Sequence, residues 1–206
     1  MNTPGALAAR DLTTLDDVLG SSREENFSSL TASGVMTRLV VDLLPTPLGE
    51  MVAAASENVL FLLEFGDRDR LGARLRRLCL RHGLFPVRGT VPVLERTALQ
   101  LEEYFGGRRR GFDLLLDTRS TSFQRQVWSA VEEVPFGATL SYKALAGRLG
   151  RPGAVRAAGR AVGDNRLALV IPCHRVVAAD GGLTGYAGHL WRKRALLDHE
   201  SRLARL

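Results

Sequence analysis

The sequence predicts an α+β protein with an N-terminal α/β domain and a mainly helical C-terminal domain. Three features lead to this prediction. Short apolar runs separated by turn residues fill residues 37–65, as expected for strands. Apolar residues recur every three or four positions in most of the later chain, which is the helical period. Near residue 150, two short helical segments are joined by a turn, with the spacing of a helix-turn-helix.

The chain begins with a tail and continues as a small sheet. Residues 1–37 mix Asp, Thr, Ser and Gly with scattered apolar residues, which is typical of a tail. Within it the sequence favours a short helix at residues 11–19 and a loop at 21–34. Three apolar runs follow, and the economical arrangement for them is a three-stranded antiparallel meander. These runs are Leu39–Leu44, Met51–Ala55 and Val59–Phe65.

Two helices and a final strand complete the N-terminal domain, which we place at residues 38–118. Four residues from Leu71 to Cys79 lie at i, i+4, i+7 and i+8, and they predict the first helix. A polar link after the last strand sets the domain boundary near residue 119. The two helices and the strand are predicted at residues 70–82, 93–105 and 112–116.

Four helices are predicted in the C-terminal domain, residues 119–206. Either Ser120 or Thr121 is suited to cap the first of them, since both side chains can accept from a backbone N–H. Pro152 lies near the first position of the third helix, where its missing N–H is tolerated. The four helices are predicted at residues 123–134, 142–149, 152–163 and 189–200.

The third of these helices has two different faces. Val155, Ala158 and Val162 are spaced to face inward. The outward residues are small or basic, so a nucleic-acid backbone can come close while two guanidinium groups reach it. These outward residues are Gly153, Arg156, Ala157, Arg160 and Gly163.

One short string in the C-terminal domain carries reactive side chains. Residues 167–171 are apolar and predict a buried strand, which Pro172 ends. Cys173 follows, with His174 and Arg175 beside it. A thiolate is the nucleophilic form of cysteine, and a neighbouring imidazole or positive charge increases its fraction. A cysteine between aliphatic residues is more often a small buried hydrophobe, so the adjacency alone leaves both interpretations open.

Positive charge is concentrated in the same part of the chain. The net charge is +6, and residues 141–206 hold 12 Lys/Arg against 4 Asp/Glu, a balance of +8. Residues 1–140 hold 16 Lys/Arg and 18 Asp/Glu, a balance of −2. The asymmetry favours a polyanionic partner for the second half, and a solvated basic face is an equally open interpretation.

Cys79 and Cys173 are the two cysteines of the sequence. On their own they cannot form a disulfide framework or a four-ligand zinc site, so we expect no metal and no cofactor. The sequence contains neither the apolar core of a secretory signal nor a run approaching the ~20 apolar residues of a membrane span. Free thiols suit a reducing compartment, so we expect a cytoplasmic protein with Cys79 as a core thiol.

Several strings around the cysteine stand in a fixed order and spacing. The most specific is Pro172–Val176, with Asn165 eight residues before Cys173. The others are Thr121–Trp128, Ser141–Ala146, Arg156–Gly163, Gly185-Tyr186 and Leu196–Glu200. Together they resemble the O6-alkylguanine-DNA alkyltransferases, also called methylated-DNA–protein-cysteine methyltransferases, over about residues 38–201. The resemblance implies an RNase H-like N-terminal domain and a winged-helix-like C-terminal domain.

The resemblance also implies a chemistry. Cys173 would accept a methyl or other alkyl group from O6-alkylguanine in DNA, once and irreversibly; O4-alkylthymine stays open as a further substrate. His174 would deprotonate the thiol through a water, and Glu200 would hold the imidazole. Asn165 would be the hinge between the DNA-binding helix and the cysteine turn. The family usually has Pro after this Asn, whereas this chain has Arg166, which puts the stiffness of the turn in question.

The partner implied by the resemblance is double-stranded DNA carrying an alkylated guanine, bound by a monomer. Chemistry on a base in a duplex requires the base to be flipped out of the stack. Tyr142 would contact the 3′ phosphate and the flipped base, Arg156 would fill the gap, and Ala157 and Arg160 would face the DNA. The guanine pocket would use Cys173, Val176, Tyr186 and Ala187.

Two other functions compete with this one. A catalytically silent helix-turn-helix protein, acting as a regulator or damage sensor, would explain the charge but would leave the string around Cys173 without a role. A cysteine hydrolase would use Cys173 with His174, but the side chains of adjacent residues diverge and make a poor nucleophile–base pair. The regulator predicts a cysteine indifferent to alkylated DNA, and the hydrolase predicts turnover.

Overall fold

The computed structural model describes residues 37–69 and 71–205. The predicted tail, with its helix at 11–19 and its loop at 21–34, lies outside the described residues except for Thr37. That residue begins the first strand. No helix among the described residues is both long and apolar enough to cross a membrane.

A four-stranded sheet forms the centre of the first part, in the order β3-β2-β1-β4. β1 pairs antiparallel with β2, and β2 pairs antiparallel with β3, so the predicted meander is confirmed. β4 was not predicted; it pairs parallel to β1 and makes the sheet mixed where an antiparallel one was expected. Its Pro86 is tolerated because β4 lies at the edge. The strands are β1 (Thr37–Leu44), β2 (Met51–Ala55), β3 (Leu60–Phe65) and β4 (Leu84–Arg88).

Helices α1 (Leu71–His82) and α2 (Pro92–Phe105) confirm the two predicted for this part, and they cover opposite faces of the sheet. Leu75 and Cys79 of α1 pack with one set of alternating strand residues. Leu94 and Leu101 of α2 pack with the other set. This division follows from the period of two in strands and 3.6 in helices.

The strand predicted at residues 112–116 is not formed. A single bridge joins Leu116 to Leu60. The backbone N–H of Asp113 is instead satisfied by the side-chain Oε1 of Gln100, at 2.9 Å. The alternation of half-buried and exposed residues in this segment therefore reflects packing against the core without strand pairing.

Four further helices and a two-stranded parallel pair form the second part, and all four predicted helices are confirmed. Thr121 caps the first of them in a capping box with Gln124, which decides between the two candidate caps. A 3-10 turn at Pro152–Ala154 opens the third. The elements are α3 (Ser122–Glu132), β5 (Leu140–Ser141), α4 (Tyr142–Arg148), α5 (Val155–Gly163), β6 (Val176–Val177) and α6 (Leu190–Leu203).

The buried strand predicted at residues 167–171 is also absent. These residues are mostly buried, but they form a turn in which Leu169 has a φ of 67°. One bridge, from Leu167 to Leu63, connects the turn to β3. Apolar composition here indicated burial correctly, and it could not distinguish a strand from a buried turn.

Candidate active site and DNA-facing surface

Cys173 begins a 3-10 turn at Cys173–Arg175, directly after Pro172. It is half-buried and lines a cavity together with Asn165, Tyr186 and Ala187. Burial raises the pKa of the Cys173 thiol, while a hydrogen bond from Asn165 and the charge of Arg68 act in the opposite direction. The resting group is therefore a thiol that needs a base before it can attack.

His174 and Glu200 form a hydrogen-bonded pair that is wholly buried. The His174 Nε2 lies 2.8 Å from the Glu200 Oε1. Burial lowers the pKa of His174, so its imidazole is neutral near pH 7. The other ring nitrogen, Nδ1, has no hydrogen-bond partner among the described residues. A neutral imidazole that donates from one nitrogen and has a second nitrogen without a hydrogen-bond partner can act as a general base.

Glu200 is the centre of a larger buried network. The Tyr104 hydroxyl donates to its Oε1 at 2.7 Å, and the Gly137 N–H donates to its Oε2 at 3.0 Å. Arg175 donates from Nε and Nη2, both at 2.9 Å, in a bidentate pair. Burial alone would raise the pKa of Glu200, but hydrogen bonds and charges from His174 and Arg175 outweigh it and hold the pKa well below its usual range.

Asn165 lies between the end of α5 and the cysteine turn. Its amide nitrogen donates to the carbonyl of Ile171 at 2.9 Å, and its Oδ1 accepts from the N–H of Leu167 at 2.9 Å. One buried side chain thus satisfies two backbone groups of the turn at 167–171. The geometry suits the hinge predicted for Asn165.

The outer face of α5 has the predicted composition. Arg156, Ala157 and Arg160 are exposed and line one shallow hollow. Ala158 and Val162 are buried beneath them, whereas Val155, predicted to face inward, is only half-buried. The hollow and the Cys173 cavity share no lining residue, although both include residues of α5.

Three of the four predicted base-pocket residues, Cys173, Tyr186 and Ala187, line the cavity, and Val176 does not. Tyr186 is half-buried and its hydroxyl has no partner among the described residues; Ala187 is exposed beside it. Val176 is fully buried, and its carbonyl accepts from the Nζ of the buried Lys193 at 2.6 Å. The Tyr142 ring borders the same region, with its hydroxyl 3.5 Å from the carbonyl of Thr184.

Comparisons with known proteins identify the family of the chain. A family model described as the 6-O-methylguanine DNA methyltransferase DNA-binding domain matches residues 122–202. The methylated-DNA–protein-cysteine methyltransferase of Salmonella typhimurium is 41% identical over 172 residues, covering 82% of this chain and 99% of that protein. The chain belongs to the methylated-DNA–protein-cysteine methyltransferase family.

Further relatives extend the likeness to both parts of the fold. The Mycobacterium bovis methyltransferase of this name is 52% identical over 101 residues, which is 49% of this chain and only 61% of that protein. A crystal structure of Mycobacterium tuberculosis OGT in complex with DNA superposes with a TM-score of 0.68 at 36% identity. It covers 81% of this chain and 94% of that one, so the likeness includes the mixed sheet as well as the helices.

Arg166, which follows Asn165 where this methyltransferase family usually has Pro, ties the chain after α5 to the first part of the protein. Its Nη2 lies 3.0 Å from the Oδ2 of Asp117, and its Nε donates to the carbonyl of Phe61 at 3.0 Å. The Arg166 carbonyl also accepts from the N–H of Leu63 at 2.8 Å. The stiffness that a proline ring would give the backbone is replaced here by side-chain and backbone tethers.

Replacing Arg166 by Ala is expected to lower the free energy of unfolding by about 1.5–3 kcal/mol, because a charge-assisted contact to the buried Asp117 is lost. Urea unfolding measures this change. Arg96→Ala is the control, since Arg96 is exposed and its loss should change the free energy by no more than about 0.5 kcal/mol. Equal values for the two variants would show that the tether contributes nothing.

Glu64, Arg68 and Arg74 are site residues that sequence reasoning missed. Glu64 is buried and forms ion pairs with both arginines. Arg68 also donates to the carbonyls of Gly163 and Asn165, at 3.1 and 3.3 Å, and lines the cavity. Nothing in the local sequence marks these residues, because their role depends on β3 and α1 packing against the end of α5.

Cys79 is separated from this site, as predicted. It is buried in the core between α1 and the sheet, and burial raises the pKa of its thiol to about 11. A thiol with so high a pKa carries almost no thiolate near pH 7. Within residues 37–69 and 71–205 there is no group of three or more His, Cys, Asp or Glu side chains placed to hold a metal ion.

Proposed function

We propose that this protein repairs DNA by direct reversal, taking a methyl or other alkyl group from O6 of guanine in double-stranded DNA onto the Sγ of Cys173. The observation that carries the proposal is the placement of Cys173 in a cavity beside Tyr186 and next to the buried His174–Glu200 pair. The thiolate attacks the alkyl carbon. A sulfur–carbon bond forms, the carbon–oxygen bond breaks, and the guanine oxygen takes the electron pair and then a proton.

Proton transfer is assigned to His174. Side chains of adjacent residues diverge, so a water would carry the Cys173 proton to the imidazole, and the unpartnered Nδ1 supports this route. Glu200 fixes the ring through Nε2 and stabilises the imidazolium that forms. The same imidazolium can return the proton to the departing guanine. Asn165 is assigned the role of holding the cysteine turn against α5.

We assign the binding of the DNA duplex to the outer face of α5. Arg156 and Arg160 are the exposed cations there, and Ala157 allows the DNA backbone to approach closely. Arg156 would enter the base stack in place of the flipped nucleotide, and Tyr142 would contact the 3′ phosphate and the flipped base. Backbone groups of Ala187 and the free hydroxyl of Tyr186 would then hold the guanine. The predicted role of Val176 in the pocket is not retained, because Val176 lies outside the cavity and its carbonyl accepts from Lys193.

The basic charge available to DNA is smaller than the sequence alone suggested. Arg175 and Lys193 are buried and already paired within the protein. Arg175 binds Glu200, and Lys193 donates to the carbonyl of Val176. Arg192 is buried, with its Nη1 2.7 Å from Asp67. The DNA-facing charge is therefore concentrated on α5 and its neighbours.

The reaction is expected to be stoichiometric, because no second nucleophile lies near Cys173 in the described structure to regenerate the thiol. Incubation with a duplex containing O6-methylguanine should raise the intact mass by one methyl group, on the peptide that contains Cys173. More than one transfer per protein molecule would contradict the proposal. An unchanged mass with retained DNA binding would instead support the regulator or damage sensor.

The proposal also includes the cellular location and the oligomeric state of the protein. Both cysteines are free in the structure, which suits the reducing cytoplasm. We assign the protein to the cytoplasm and to the nucleoid when bound to DNA, acting as a monomer. The lesion carried by the duplex is alkylated guanine, and the range of alkyl groups follows from repeating the mass measurement with methyl and benzyl adducts.

A further inference from the structure

A groove between α1 and α3 is lined by four arginines, and two of them, Arg77 and Arg81, have no part in the proposed alkyl transfer. Three of them lie along one side of α1, and a fourth lies opposite them, directly after Asn165. A glutamine of α3 and the aspartate that follows α5 also line the groove. We use the name arginine groove for the surface formed by Arg74, Arg77, Arg81, Gln124, Asp164 and Arg166.

The arginine groove is strongly positive. Arg77 and Arg81 are exposed and form no ion pair within the described residues. Four guanidinium groups line the groove against one carboxylate, that of Asp164, whose Oδ2 accepts from the Gln124 amide at 2.9 Å. Arg74 and Arg166 are already paired, with Glu64 and Asp117, so Arg77 and Arg81 are its free cations.

A neighbouring imidazole, that of His82, lies close to the same arginines. His82 ends α1 and lines the groove. Burial lowers the pKa of His82, and the charges of Arg119, Arg166 and Arg81 lower it further, against an opposing effect from Asp117. An anion entering the groove would meet the exposed guanidinium groups of Arg77 and Arg81.

The groove continues the surface that faces DNA. Gln124 and Asp164 line both the arginine groove and the hollow that contains Arg156 and Arg160. From Arg74 to Arg81 the helix rises by about 10 Å, close to the axial length of three phosphates on one DNA strand. A DNA strand that passes along α5 can thus continue into the arginine groove, with its phosphates beside α1.

We propose that the arginine groove binds the sugar–phosphate backbone of the duplex, outside the flipped nucleotide, through Arg77 and Arg81. The partner is duplex backbone and not unpaired bases, because the aromatic side chain in the groove, Trp128, is buried and its Nε1 donates to the carbonyl of Ala161 at 2.9 Å. It therefore offers no face on which a base could stack. The inference rests on the proposed function for the position of the DNA on α5.

The test compares two doubly substituted proteins with the same loss of charge. Arg77→Gln with Arg81→Gln removes the free cations of the groove. Arg76→Gln with Arg96→Gln is the matched control, since both residues are exposed and neither lines the groove. The affinity for an undamaged duplex of about 20 base pairs is measured between about 50 and 200 mM salt.

Each phosphate contact contributes about 0.9 to the slope of log affinity against log salt, so the groove variant should lose about 2 from the slope. Its affinity at low salt should fall roughly 10-fold or more, uniformly across sequences. The control should keep the wild-type slope. Thermal unfolding midpoints should match among the three proteins, which separates lost contacts from lost folding.

Equal slopes for the groove variant and the control would overturn the inference. The wild-type protein is also tested for methyl uptake from an O6-methylguanine duplex. If the wild-type protein accepts the methyl group but the groove variant and the control have equal salt slopes, only the proposed role of the arginine groove is wrong. A protein that accepts no methyl group rejects the proposed function, and the slopes then still decide whether the groove contacts DNA.

Discussion

Replacing Glu200 by Gln is expected to lower the free energy of unfolding by about 3–5 kcal/mol, because it leaves the buried guanidinium of Arg175 without its counter-charge. Gln has nearly the same shape, but it cannot accept from Tyr104, His174 and Arg175 together, as the carboxylate does. Alkyl transfer should fall sharply as well, since His174 loses the group that orients its ring. Urea unfolding and single-turnover transfer below the unfolding transition measure the two effects.

Glu133→Gln is the matched control for this variant. Glu133 is an exposed carboxylate at the end of α3, so its replacement should change the free energy of unfolding by no more than about 0.5 kcal/mol. If Glu200→Gln were as mild as Glu133→Gln, the buried network would not stabilise the fold, and Glu200 could not be the anchor of His174.

A pH series gives a second readout of the same network. The pKa of Glu200 is held below its ordinary value of 4.5 in the folded protein, so the stability that it contributes is present above about pH 4.5 and is lost as the pH falls further. The pKa of His174 is also lowered, from 6.5, and its contribution is likewise lost on acidification, beginning below that pH. The difference between wild type and Glu200→Gln should therefore shrink below about pH 4.5.

The helices and the meander could be predicted because their residues obey one period over many positions. β4 could not, since Leu84–Arg88 is short, contains Pro86 and follows α1 after a single glycine. The strands predicted at 112–116 and 167–171 are the reverse case, because the sequence pattern is present and the strand does not form. Apolar residues there pack against the core, but each segment makes a single bridge to β3, and the side chains of Gln100 and Asn165 bind part of the remaining backbone.

Some site residues lie close together in the sequence, whereas others meet only in the folded protein. Cys173, His174 and Asn165 lie within nine residues of one another, so their spacing could carry the family resemblance that predicted a reactive cysteine. Tyr104 reaches Glu200 across 96 residues, and Arg68 reaches Asn165 across 97. Such contacts depend on how the sheet and α2 pack against α5 and α6, which no local pattern encodes.

Replacing Arg156 by Ala is expected to slow repair of an alkylated duplex by about 10- to 1000-fold, because flipping a base costs a few kcal/mol and the side chain that fills the vacated space is lost. Arg156 is exposed on α5 and does not line the Cys173 cavity. It should therefore assist flipping without touching the thiol. Reaction with free O6-benzylguanine, which needs no flipping, should slow only slightly.

The measurement is a pair of second-order rate constants, one for the duplex and one for the free base, for each of three variants. Cys173→Ala should abolish both reactions. Arg96→Ala, an exposed arginine on α2, should leave both unchanged. If Arg156→Ala slowed both substrates by the same factor, its effect would lie at the thiol or in the fold, and Arg156 could not be the residue that replaces the flipped base.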